Sequence, residues 1–116
     1  MKIAHYKETP PEPVGEADAS GITVRWVISE KDGAENFSMR VFEVAPGGCS
    51  SFHKHPWEHE VFILEGTVSL VQEEKVTSCS EGDVIFIASG EKHQLKNPTG
   101  EKAAFICLVP NLEGKG

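Results

Sequence analysis

Cysteine is scarce and its placement has no pattern. Cys49, Cys79 and Cys107 are an odd number, far apart, with no CxxC pair. That excludes a disulfide framework and a thiolate metal site. Basic residues are also few: 11 Lys and Arg stand against 18 Asp and Glu, for a formal net charge of −7. Phosphate backbones and anionic lipid surfaces need clustered cations, so neither nucleic acid nor membrane is expected as a partner. No apolar run is long enough to span a bilayer. The opening Met1-Lys2-Ile3-Ala4-His5-Tyr6 lacks the apolar stretch of a signal peptide, so a cytoplasmic protein is expected. Helical periodicity is missing: no window of the strand-rich region holds an apolar face for three turns. Ser-His-Asp order, a nucleotide Gly-loop and a Walker motif are missing as well, and Gly47-Gly48-Cys49 lacks the strand-to-helix sequel that phosphate binding needs.

Short strand signals fill the chain instead. The 116 residues are enough for one domain, 1–116, and too few for two. Ile22 to Ile28 alternates and is rich in β-branched residues. A Lys31–Ala34 turn leads to a strand over Phe37–Val44, and Ala45-Pro46-Gly47-Gly48 reads as a second turn. Ser50–His55 reads as a short strand broken at Pro56. Further strands are expected over Glu58–Glu65, Thr67–Gln72, Val76–Cys79, Val84–Ile87, Lys92–Lys96 and Ala103–Val109, with Cys79 at a turn. This spacing of strands and turns predicts an all-β closed or sandwiched barrel. The first 20 residues, with Pro10, Pro11 and Pro13, read as an N-terminal arm.

Four of the five histidines lie between 53 and 93. His53 and His55 are two apart on an extended segment, so both project from one face. His59 follows past Pro56, and His93 comes just after the Ser89-Gly90 turn. Neutral imidazole suits borderline transition metals and is a poor ligand for Ca or Mg. Chance does not readily produce this pattern, whereas His5 reads as a surface residue. The expectation is one divalent ion held by His53, His55, His59 and His93, with Mn, Fe, Co, Ni, Cu and Zn all open.

Two segments carry a family resemblance. Gly47-x5-His53-Lys54-His55-x3-His59-x6-Gly66 resembles the first motif of the cupin superfamily, and Gly82-x5-Ala88-Ser89-Gly90-x2-His93-x3-Asn97 resembles the second. The usual first motif has Glu where this chain has His59, and the usual second has Pro where it has Ala88. The chain is most similar to small single-domain cupins of the conserved-barrel type with an all-histidine site. The resemblance implies a double-stranded β-helix, or jelly-roll barrel, of six to eight strands, a metal in its mouth and a homodimer. It implies no single reaction, because the superfamily includes dioxygenases, isomerases, decarboxylases and binding proteins.

Glu60 also fits the family's gap after the second His, although the count to Gly66 favours His59. Adjacent strand residues face opposite sides, so one of the two is inward and the other is an outward residue or an acceptor for an imidazole N–H. Three His and one Glu leave a divalent site at +1, and four neutral His leave it at +2. Cys107 shares a phase with Phe105 and Val109; inward, it would line the pocket, and elsewhere it is a small core residue. Leu95 should share the face of His93, and Val61 reads as core or pocket wall. An inward Arg40 would select a carboxylate or enolate, while an outward one, the more frequent case, would pair with a surface acid. Trp57, between two candidate ligands, would shape the pocket mouth or a dimer contact. With no carboxylate clearly inside, the first expected function is a dioxygenase-like oxidoreductase acting on a small organic substrate. A Lewis-acid isomerase or lyase using Glu58 or Glu60 as base, and a non-catalytic binding or sensing module, are the alternatives.

Overall fold

The longest strand organises the others. In the computed structural model, which describes residues 1–111, β3 runs from Phe37 to Cys49 and touches three partners. On one side it pairs antiparallel with β2 (Ser20–Ile28), and on the other with β9 (Ala103–Pro110). At its end Cys49 pairs with Lys96 of β8 (Gln94–Lys96). Beyond β9 lie β4 (His59–Glu65) and the edge strand β7 (Val84–Ile87). Beyond β8 lie β5 (Thr67–Val71) and β6 (Val76–Ser80). β3 thus passes from one half of the sheet to the other, and the sheet curls into a barrel. The chain is 52% strand and 5% helix, the all-β barrel expected of the sequence. Among the described residues no helix is long and apolar enough to cross a membrane.

Alternation sets the interior. Val44 on β3, Val61 and Ile63 on β4, and Phe105, Cys107 and Val109 on β9 are all buried in the core. Phe105 stacks on Phe42 across the β3–β9 pair with ring centroids 5.0 Å apart. The antiparallel register lines up Trp26, Arg40, Cys107 and Val61 as one row across β2, β3, β9 and β4. On β4 and β7 the opposite phase leaves Phe62, Leu64, Val84 and Phe86 exposed.

Three local expectations are corrected. Ala45–Gly48 is not a turn, because β3 continues through it. Gly47 takes φ +77°, and a Cβ on Gly48 would lie 2.5 Å from the Gly21 carbonyl oxygen, so two glycines let β2 and β3 cross closely with a register shift. Ser50–His55 is not a strand, since only His53 makes a bridge, with His93. Its ladder is diverted: the Phe52 N–H donates to the Asp18 carboxylate instead. Cys79 lies within β6 and is buried, not at a turn.

The arm is also more ordered than a free extension. Tyr6–Glu8 is a single 3₁₀ turn whose cap is His5, an exposed residue outside the pocket. Glu12–Pro13 forms β1 and pairs with Val24 and Thr23 of β2. Asp18 then ties the arm to the segment before the first histidine, accepting from Ser51 Oγ at 2.7 Å and the Phe52 N–H at 3.2 Å. Those two hydrogen bonds hold the Asp18 carboxyl below its usual pKa.

Candidate metal centre

Each histidine reaches the barrel mouth from a different backbone setting. His59 opens β4 and projects inward. His93 precedes β8, and its N–H and carbonyl exchange hydrogen bonds with those of His53 at 2.8 and 3.0 Å. His55 lies two residues past His53 and accepts the Gly90 N–H at its carbonyl oxygen. Gly90 itself sits at φ +81°, which turns the chain toward His93.

The four rings surround one position. Centroids are 4.3 Å apart for His53–His55, 4.9 Å for His53–His93, 5.2 Å for His59–His93 and 5.4 Å for His55–His59. The pair His55–His93 is wider, at 6.3 Å. A metal–nitrogen bond of about 2.1 Å would set neighbouring imidazole centroids roughly 4.6 Å apart and opposite ones roughly 6.5 Å apart. The ring spacings leave room for one ion between them. Among the described residues no group of three or more His, Cys, Asp or Glu side chains is placed to hold a metal ion as it stands.

The nitrogens fit the same use. His93 Nδ1 lies 2.8 Å from the Glu91 carbonyl oxygen, which can only accept. The proton is therefore on Nδ1, and Nε2 keeps its lone pair. His59 Nε2 is buried with no hydrogen-bond partner. Burial, reinforced by the charge of Arg40, holds the His59 pKa down at about 3, so this ring is neutral near pH 7. Burial lowers His93 in the same direction. A buried ring nitrogen with no hydrogen-bond partner is costly.

The pocket around the rings has a volume of about 520 Å³. Val61, Leu95, Phe105 and Cys107 line it, and so does Arg40. The more frequent, outward reading of Arg40 is thus replaced by an inward one. The reason is register: Arg40 stands opposite Cys107 and Trp26, both on the inner face. Glu60 is exposed and outside the pocket wall, as is Glu58. Trp57 stacks on His55 at 4.2 Å and joins the wall.

Two carboxylates escaped the sequence reading. Glu12 and Glu16 of the arm line the pocket. Glu16 Oε2 lies 3.3 Å from His53 Nδ1, close enough for charge attraction but too poorly aligned to satisfy that nitrogen with a hydrogen bond. Nothing local in the sequence marks them. Only the proline-rich extended character of the arm hints that it can add to a sheet edge. Asn97, quoted above as part of the second motif, serves the fold. It is 1% exposed, and its amide donates to the Val44 and Glu101 carbonyls while its oxygen accepts from Thr99.

Known proteins share this fold. Residues 40–109 match the family described as Cupin domain. The crystal structure of the polyketide cyclase RemF from Streptomyces resistomycificus is 34% identical and superposes with a TM-score of 0.93, over 99% of this chain and 82% of that one. The 1-methylthio-D-xylulose 5-phosphate methylsulfurylase of Rhodospirillum rubrum is 34% identical over 94% of this chain. An oxalate-binding protein of Thermotoga maritima is 31% identical over 58% of it. The chain spans 65% and 56% of the lengths of these two curated relatives. With the family matched across more than half of this chain, over the segment that holds Arg40, the four histidines and Cys107, the chain belongs to the cupin family.

Proposed function

We propose that His53, His55, His59 and His93 hold one divalent transition metal, and that the pocket is the active site of an enzyme acting on a small organic substrate. The observation that carries this is the clustering of four imidazoles, with His59 Nε2 buried and unpartnered. When bound, the ion would supply a Lewis acid with coordination positions left for substrate. Val61, Leu95 and Phe105 give the substrate an apolar wall, and Arg40 adds a fixed positive charge.

The non-redox reading, an isomerase, lyase or cyclase, has the better support. It needs a proton acceptor beside the substrate, and Glu12 and Glu16 supply carboxylates at the pocket wall. Glu58 and Glu60, the bases suggested by the sequence, are exposed outside the wall. The likeness to a polyketide cyclase points the same way. The dioxygenase-like reading shares the metal and the pocket, and open positions on an all-nitrogen site favour it. One experiment separates the two. The protein purified without added metal is analysed for Mn, Fe, Co, Ni, Cu and Zn, then incubated with enolisable diketones with and without oxygen. Anaerobic turnover with a zinc-type ion supports the non-redox reading. Oxygen uptake that requires Fe or Mn transfers the proposal to an oxidoreductase. Failure to bind any of these metals removes both.

The homodimer belongs to the same proposal. The exposed apolar residues of β4 and β7 lie beside the free edge of β7, which can pair antiparallel with its own copy. Light scattering across a concentration series tests it, and a mass fixed at the monomer value would end it.

A further inference from the structure

The barrel treats its two arginines in opposite ways. Arg25 Nε donates to Glu43 at 3.0 Å, and Arg25 Nη1 donates to the Thr9 carbonyl at 2.7 Å. Its charge is met by a carboxylate, and it helps to fasten the arm. Arg40 enters the pocket, and among the described residues no carboxylate stands within ion-pair distance of it. Its Nη2 donates to Cys107 Sγ at 3.1 Å, and its Nε is buried without a partner. Sulfur is a weak acceptor and does not neutralise the charge. The guanidinium carbon lies 4.8 Å from the Phe42 centroid and 5.2 Å from the Trp26 centroid. Aromatic faces hold a cation in place and likewise leave it charged.

Arg40 is half-buried, a charge partly withdrawn from water with no counter-charge, which is costly, and the chain has 18 acidic residues from which a partner could have come. Of the two carboxylates that reach this pocket, Glu16 faces His53 instead. Cys107 Sγ also lies 3.5 Å from His59 Nδ1, so the guanidinium and the His59 ring flank one sulfur atom within one cavity. A guanidinium offers a planar fork of donors that matches two oxygens of a carboxylate or the oxygens of an enolate. The remaining wall, from Val61, Leu95 and Phe105, is apolar, which suits a hydrocarbon body better than an inorganic anion.

The geometry points to Arg40 as an anion-binding subsite of this pocket, whose ligand is a small apolar organic oxyanion, a carboxylate or an enolate, with its charged oxygens on the guanidinium. The assignment rests on the pocket being the ligand site proposed above, but it does not need the metal. Benzoate and its uncharged isostere benzamide are the probes, titrated by calorimetry into chelated protein and into zinc-loaded protein. Wild type binds benzoate more tightly than benzamide in both forms. Arg40→Gln lowers benzoate affinity at least tenfold and changes benzamide affinity less than threefold. Arg40→Lys keeps a preference for benzoate but binds it more weakly, because the fork is gone; it is read alone if Arg40→Gln does not fold. Equal affinity for the two probes in wild type, absence of binding at millimolar concentration, or equal loss of both probes in the variants overturns the assignment. A benzoate preference that depends on Arg40 in protein that takes up none of Mn, Fe, Co, Ni, Cu and Zn leaves the assignment standing while the metal reading falls.

Discussion

At the scale of single residues, His59 and Glu60 are the decisive pair. Adjacent positions on a strand point to opposite faces, and β4 sends His59 inward at 6% exposure while Glu60 stays outside. The sequence could favour one by its distance to Gly66 but could not exclude the other, since either satisfies the spacing and only the phase of β4 against β7 and β9 decides. His59→Ala should therefore weaken zinc binding at least a hundredfold, and Glu60→Gln should leave it unchanged; competition against a chromogenic chelator measures both. Arg40 was the residue least legible. Its neighbours Met39 and Val41 fit either face, and its inward setting follows from a pairing with Cys107, 67 positions away. His59 also sets a pH response. In the metal-free protein the folded ring resists protonation until about pH 3, whereas the unfolded ring takes a proton near 6.5. The unfolded state thus binds more protons between those values, so stability is full above pH 6.5 and falls by about 1.4 kcal/mol per pH unit below it from this group. Chemical denaturation midpoints at pH 7.5 and 5.5 should show that fall in wild type and a smaller one in His59→Gln, where the lowered His93 still contributes.

Among the elements, strands were read well and junctions poorly. The spans of β4, β5, β7 and β9 follow from alternation and from β-branched runs, and the structure matches them within a residue or two. Ala45-Pro46-Gly47-Gly48 misled because its composition is that of a turn, while its glycines serve the crossing of β2 over β3. The arm was read as extended but not as a wall of the pocket, because β1 and the Asp18 anchor depend on partners distant in sequence. Glycines at the turns have unequal duties, and this is testable. At Gly66, φ is +74° and an added Cβ would lie 2.7 Å from the Lys102 carbonyl oxygen. At Gly33, φ is +92° and nothing lies within 4 Å of such a Cβ. Gly33→Ala should cost about 1 kcal/mol, the strain of the left-handed region alone. Gly66→Ala should cost about 3 kcal/mol or more, lowering Tm by roughly 10 °C or more. Equal melting temperatures for the two variants would contradict this account of the β4–β5 turn.

For the whole molecule, part of the core lies clear of the candidate site. Val44, Ile63, Val68 and Ala103 are fully buried, and none of them belongs to the pocket wall. The barrel is therefore expected to stay folded without metal, unlike small domains that a structural zinc holds together. Chelation should leave the far-ultraviolet circular dichroism unchanged and lower Tm by no more than mass action from the lost ligand allows. Collapse of the β signal on chelation would sink this expectation. The bridge between His53 and His93 bears on this separation. Two reciprocal hydrogen bonds tie the backbones of residues that lie in different motifs. Much of the loop-closure entropy needed to bring distant donors together is thus spent during folding, before any ion arrives. Capture of an ion should then resemble binding to a rigid macrocycle, with slow release and little accompanying heat-capacity change. The amide protons of His53 and His93 should be among the slowest at the barrel mouth to exchange with solvent, in the presence of metal and in its absence.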